Sequence, residues 1–323
     1  MKVSLSYANA VAISAQKNLI PKSRFYSAAE AKTPEDALKL LTSGSFGNGV
    51  EISGVSVYET LATEETLKLK AFLGEYSRGN AVKFYCFLKS DFFNCDAAVR
   101  TVLLGVACSY KKDGLTGADE IETYVKSGAG DLPDYLKIVI EELKLAAEKP
   151  NVTGAELSLI TLRNYYASAL KLIRNGVIRD LIRTEIDCAN VSAYVRSKDG
   201  ETAEKQFISG GKLKKEKLKL LLSGDAGKAR DAFVFTPYID FVDTCLKAKR
   251  EKRPLSEFEK IKDDYPLKRL DGRRYETDGI IPTLLYAVYK RAEIKNFRTV
   301  ISGKLAGAPA EVITGRLRNG YVG

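Results

Sequence analysis

The feature that most constrains this chain is a short polar motif that recurs at long, similar intervals. Asp91-Phe92-Phe93-Asn94, with Arg100 six residues after the asparagine, is matched by Asp187-Cys188-Ala189-Asn190 with Arg196 at the same offset. A third copy, Glu293-Ile294-Lys295-Asn296, has glutamate in the acid position and Ser302 where the arginine would be, and a faint fourth is Ser6-Tyr7-Ala8-Asn9. Successive asparagines are 85, 96 and 106 residues apart, so three similar units fill the 323 residues. Positions one, four and five after each clear asparagine are apolar (Cys95, Ala98 and Val99 in the first copy), which makes one helical stripe repeated. An acid three residues before an asparagine shares its helix face. Each copy thus sets two polar groups beside an apolar stripe, placed to cross-link helices by hydrogen bonds. The competing reading is a solvated pair near a helix N-terminus. Gly105, Gly200 and Gly307, ten or eleven residues after the asparagines, are expected to end the helices in left-handed caps.

The rest of the chain has helical periodicity almost throughout. Thr33-Pro34-Glu35-Asp36 supplies a capping oxygen, a proline for the first helical position and two first-turn acids, which predicts a helix from there to about Ser43. Leu132, Leu136, Val139, Ile140 and Leu143 form the stripe of an amphipathic helix over Asp131 to Glu148, and another is expected from Thr153 to Arg174. The β-branched runs at Val50 to Val57 and Ala232 to Thr236 are too short to build a sheet. Glycine-containing breaks at Ser43 to Gly49, Ser127 to Gly130, Gly210-Gly211 and Gly224 to Gly227 read as turns. The fold class expected is all-α, with three similar helical units at about 1–110, 111–208 and 209–323.

Composition then removes whole classes of function. There is no histidine, so Ser-His-Asp and Cys-His nucleophiles, imidazole acid/base catalysis and histidine metal ligands are all absent. The five cysteines (Cys86, Cys95, Cys108, Cys188, Cys245) are odd in number and form no C-x-x-C pair, which favours buried reduced thiols. No catalytic residue, cofactor or metal is expected. No apolar run approaches the roughly 20 residues a membrane span needs, and no secretory leader is visible, which points to the cytoplasm. The net charge of +10 sits entirely in the last third, where 25 Lys and Arg face 15 Asp and Glu from Lys212 onward. Such a basic stretch meets nucleic acid, anionic lipid or an acidic protein, or is a solvated face. A basic nucleic-acid-binding or scaffold module is the alternative reading, but Lys212 to Lys219 and Lys247 to Arg253 carry no interleaved aromatics. Gly227-Lys228 and Gly303-Lys304 are followed by Ala229 and Leu305, so neither completes a phosphate-binding loop.

Ordered blocks along the whole chain resemble the central-axis C subunits of archaeal-type and bacterial V-type ATP synthases, relatives of the d subunit of the vacuolar ATPase. They are Tyr7-Ala8-Asn9-Ala10 with Thr33 to Ala37, Asn164-Tyr165-Tyr166 through Glu185 to Val191 and Gly210 to Leu213, and Glu293 to Arg298 through Ser302 to Gly307 and Pro309 to Ile313. Ser302, and the segment Lys252 to Gly279, depart from the family pattern. The resemblance implies three helical domains around a pseudo-threefold axis, shaped as a funnel. It implies a non-catalytic rotor component on the cytoplasmic face of the membrane, in a single copy. Its partners would be the central shaft and the membrane proteolipid ring, with no nucleic acid and no small-molecule substrate. The repeat residues Asp91, Asn94, Arg100, Asp187, Asn190, Arg196, Glu293 and Asn296 are then structural helix-junction residues.

Overall fold

The apolar periods and cap signals translate into helices. The computed structural model describes residues 4–222 and 225–321, and among these there is no strand. In chain order the helices are α1 (Leu5–Gln16), α2 (Lys22–Glu30), α3 (Pro34–Thr42), α4 (Tyr58–Tyr76), α5 (Ala81–Leu104), α6 (Ala118–Ser127), α7 (Asp134–Ala147) and α8 (Gly154–Leu172). They continue with α9 (Gly176–Arg196), α10 (Gly200–Lys205), α11 (Lys215–Lys219), α12 (Ala226–Asp231), α13 (Ile239–Arg250), α14 (Leu255–Asp271), α15 (Ile281–Leu305) and α16 (Ala310–Arg316). Single 3-10 turns precede α4 and follow α11.

Where the caps are legible, the helices begin as expected. The Thr33 hydroxyl accepts the Asp36 N–H at 3.0 Å, and Pro34 occupies the first helical position of α3. At α8, Thr153 and Glu156 form a reciprocal capping box, each side chain taking the other's backbone N–H. Helix α7 starts at Asp134, behind Pro133, three residues later than Asp131. Gly105 and Gly307 are left-handed after α5 and α15, with φ of +66° and +67°. Gly200 is different: α9 stops at Arg196 with Ser197 extended, so the chain has already turned, and Gly200 opens α10 behind the capping side chain of Asp199. Of the turn expected at 224–227, Gly224 lies outside the described residues. Ala226 and Gly227 already belong to α12, whose first N–H groups are taken by Asp225. The segment that departs from the family pattern forms α14, with Pro266 inside it.

The chain divides into two compact units, one made of residues 1–82 with 230–323 and the other of residues 83–229. In the first, α15 packs against α1, α2, α3 and α4, and the Phe46 and Phe297 rings meet 4.5 Å apart inside a cluster with Phe25, Leu38 and Leu61. In the second, Phe92 of α5 sits between Tyr135 of α7 and Tyr165 of α8, at ring distances of 6.1 and 5.9 Å. Most of the circumference of α9 and α15 is buried, as is most of α5. These three helices carry the repeated motif, so any polar group on them needs a partner supplied by the protein. Four cysteines are buried, Cys108 is half-buried and none of the five is joined in a disulfide.

Replacing Phe92, which is fully buried, with alanine is expected to cost about 3–5 kcal/mol of stability. Urea unfolding followed by circular dichroism measures this; a loss under about 1 kcal/mol would show the site to be loosely packed.

Candidate functional site

The acid and asparagine of each motif lie in mid-helix and are buried, with Asn94, Asn190 and Asn296 at most 3% exposed. A buried primary amide has donors and an acceptor to satisfy, and all three asparagines do so in the same way. Asn94 donates to the Lys111 carbonyl (2.9 Å) and accepts the Lys111 N–H (2.7 Å). Asn190 makes the same pair with Ile208 (2.8 and 2.9 Å), and Asn296 with Arg318 (3.0 and 2.8 Å). The amide thus takes both backbone groups of one loop residue, as a neighbouring β-strand would. Aspartate has no donor for this and alanine has neither group.

The acid one turn earlier holds a second backbone point. Asp91 accepts the Thr116 N–H at 3.0 Å, and Asp187 accepts those of Lys212 and Leu213 at 3.0 and 2.9 Å. Glu293 accepts the Ile20 N–H at 2.6 Å. Thr116, Leu213 and Ile20 each stand two residues before the first residue of a helix: α6, α11 and α2. A carboxylate there makes charge-assisted bonds and lies near the positive end of the following helix. The first two motifs are therefore two-point clamps that each fix one loop and aim the helix after it, while the third holds two separate segments, Arg318 beyond α16 and Ile20 before α2. Close approach explains the glycines: a Cβ on Gly114 would lie 2.6 Å from Asp91 Oδ1, and one on Gly211 would lie 2.2 Å from Asp187 Oδ1.

The arginines do not repeat in this way. Arg100 pairs with Asp96 through two bonds of 2.7 and 2.9 Å and also donates to the Gly154 carbonyl and the Ser158 hydroxyl at the start of α8. Arg196, the last residue of α9, donates to the Ser192 carbonyl of its own helix. Ser302 likewise bonds within α15, to the Arg298 carbonyl. Asn9, of the faint fourth copy, donates to the Thr277 and Gly279 carbonyls, upstream of α15, with its own oxygen unbonded.

The third clamp carries an added ion cluster. Lys290, one turn before Glu293, lies 2.5 Å from both Glu293 and Glu65 of α4, and 4.9 Å from the centre of the Phe46 ring. Glu65 also receives Lys68 at 2.6 Å and the Gly47 N–H at 3.0 Å. Burial pushes the Glu65 carboxyl up, but Lys290, Lys68 and the Gly47 N–H outweigh it and hold it below the usual range. In Glu293 burial prevails over the same lysine and raises the carboxyl. For Lys290 burial is outweighed by the two carboxylates, which hold the ammonium above its usual range. Glu65 and Lys290 are invisible to the motif, since their partners are distant in sequence; the local signal is confined to the i,i+3 spacing of Lys290 and Glu293. Lys111, Ile208, Arg318 and Ile20 contribute backbone to the clamps and leave no side-chain signature.

No described residues form a cluster of three or more metal-ligand side chains, and no described helix is long and apolar enough to cross a membrane. What the arrangement does is mechanical: it locks loops onto central helices. A helical chain with this repeated clamp can be compared with known families, and residues 8–316 match the ATP synthase (C/AC39) subunit family. The chain belongs to that family. One relative of this C/AC39 chain is the protein named as the C subunit of the A-type ATP synthase in Methanocaldococcus jannaschii, 28% identical over 198 residues. That alignment covers 57% of this chain and 48% of the relative, so the matched part spans about half the relative's length.

Two outcomes follow for this C/AC39 chain. Asn190→Ala leaves the Ile208 N–H and carbonyl without their partner and is expected to cost about 2–6 kcal/mol in urea unfolding, counting about 1–3 kcal/mol per orphaned group. Lys290→Met leaves two buried carboxylates facing each other and is expected to cost about 3–5 kcal/mol at neutral pH. That penalty shrinks toward about pH 4 as the carboxylates protonate. In the unsubstituted chain the Glu65 contribution is present above the usual carboxylate range and is lost as pH falls through its lowered folded value. The Lys290 contribution is present up to the usual lysine range and is lost as pH rises through its raised folded value. Raised Glu293 works in the opposite sense to Glu65, opposing the fold once it ionises. Unfolding curves for both proteins across pH check these signs.

Proposed function

We propose that this chain is a non-catalytic coupling subunit of a rotary A/V-type ATPase, linking the central shaft to the membrane proteolipid ring. In this role it carries torque between ATP hydrolysis or synthesis and ion transport. It sits as a single copy, peripherally, on the cytoplasmic face of the membrane. The observation that carries the reading is a two-point clamp used three times along a chain that matches the ATP synthase (C/AC39) subunit family over residues 8–316. The name of the archaeal relative, the C subunit of an A-type ATP synthase, supports it.

The physical demand of the role agrees with the clamps. Moving one charge across a membrane potential yields roughly 2.3 kcal/mol per 100 mV, comparable to the cost of disrupting one clamp. A coupling piece must therefore have its loops tied to its helices more firmly than any single bond allows. We propose three helical units, 1–110, 111–208 and 209–323, related by a pseudo-threefold axis in a funnel that receives the shaft tip. The inner two boundaries fall at Lys111 and Ile208, the residues whose backbones are held by Asn94 and Asn190. Asp91, Asn94, Asp187, Asn190, Glu293 and Asn296 are the junction residues, with Arg100 and Arg196 assisting.

The test is affinity purification of the tagged chain from native membranes after mild detergent extraction. Shaft subunits and the proteolipid ring should copurify with it. Recovery of the chain alone, as a soluble monomer, would overturn the assignment.

A further inference from the structure

The compact unit that contains α15 is built from two stretches far apart in sequence, residues 1–82 and 230–323. In the first two clamps the carboxylate and asparagine hold backbone 17 to 26 residues downstream of themselves. In the third, Asn296 again takes a residue downstream, Arg318, but Glu293 reaches Ile20, 273 residues away. Closing so long a loop costs more entropy than closing a short one. The third clamp also carries what the others lack. The residue one turn before the acid is Leu88 in the first copy and Thr184 in the second, and Lys290 in the third.

We propose that Lys290, bridging Glu293 of α15 to Glu65 of α4, is a latch that docks the N-terminal segment, residues 4–76, onto α15 as a separate piece. The inference concerns this chain's own architecture and does not rest on the rotary reading. The segment has the properties of a docked partner. It presents a buried carboxylate, Glu65, to a buried ammonium at 2.5 Å, and a backbone donor, Ile20, to the neighbouring carboxylate. It adds Glu59 to Arg298 at 2.9 Å, the buried Asn9 to the Thr277 carbonyl at 2.9 Å and Gln16 to the Pro282 carbonyl at 3.3 Å. Its apolar face, with Phe25, Leu38, Leu41 and Phe46, packs on Phe297 and Val300. Interlocked apolar side chains resist sliding, yet in a shifted register they can still bury apolar area and tolerate it at moderate cost. A buried charge that is satisfied in one register does not, so Lys290 fixes where the segment sits. No cysteine occurs before Cys86, so no disulfide joins the segment to the rest.

The experiment uses the full chain with a protease site placed in the exposed turn at 78–80, between α4 and α5. After cutting, the two pieces of the unsubstituted protein should co-elute in gel filtration. Exchange of an amino-terminally labelled segment against excess unlabelled cut protein gives the dissociation rate. Lys290→Met should raise that rate by about 100-fold or more, the loss expected when a buried ion pair is broken. Glu65→Gln, nearly isosteric and confined to the segment, should raise it at least about tenfold; it decides the matter if Lys290→Met fails to fold, as read by circular dichroism before cutting. The proposal is overturned if a folded variant exchanges within about threefold of the unsubstituted protein, or if the unsubstituted pieces separate at once on cutting.

Discussion

The structure depends on a buried asparagine amide that satisfies both backbone groups of one loop residue. Three central helices are covered on nearly all sides, so a polar side chain in the middle of any of them would cost several kcal/mol unless fully partnered. Asn94, Asn190 and Asn296 meet that condition with loop backbone, and at Ile208, which is buried, the amide in turn satisfies an N–H and a carbonyl that would otherwise be orphaned. Each side of the bond removes a liability of the other. The acid a turn earlier extends the same logic to the start of the next helix, so the helix, the loop and the following helix become one rigid corner.

The third corner shows how the same device changes when its parts come from distant sequence. Glutamate replaces aspartate, a lysine appears one turn before it, and a second glutamate arrives from α4. One lysine shared between two buried carboxylates cannot satisfy both equally. Glu65, with Lys68 and the Gly47 N–H as further partners, keeps its charge more readily, while Glu293 is left with a raised affinity for a proton. This asymmetry comes from the deeper burial of Glu293 together with its smaller number of donors.

Much of the fold can be read from the residues. The stripe over α7 and the caps of α3 and α8 are local signals, and they give helix starts within three residues of those observed. The D-x-x-N spacing identifies the polar positions that the core must accommodate, because two polar residues one turn apart inside an apolar stripe are conspicuous. What they bind is hidden. Lys111, Ile208 and Arg318 act through backbone, which every residue has, and only the glycines near Asp91 and Asp187 hint at the approach. Gly200 misleads because a glycine serves a helix start as well as a helix end, and Asp199 decides between them. Arg100 and Arg196 each bond back to their own helix, to Asp96 and to the Ser192 carbonyl, and Arg100 also reaches across to α8.

The distance along the chain from asparagine to clamped residue is 17, 18 and 22 residues in the three copies. The intervening stretches differ in content as well as length: the second holds α10, and the third holds α16, which packs on α2, α14 and α15. At Gly114 and Gly211 there is no such latitude, since a single added methyl collides with a carboxylate. Lineages that share this architecture should therefore vary least in composition at two residues that have no side chain at all.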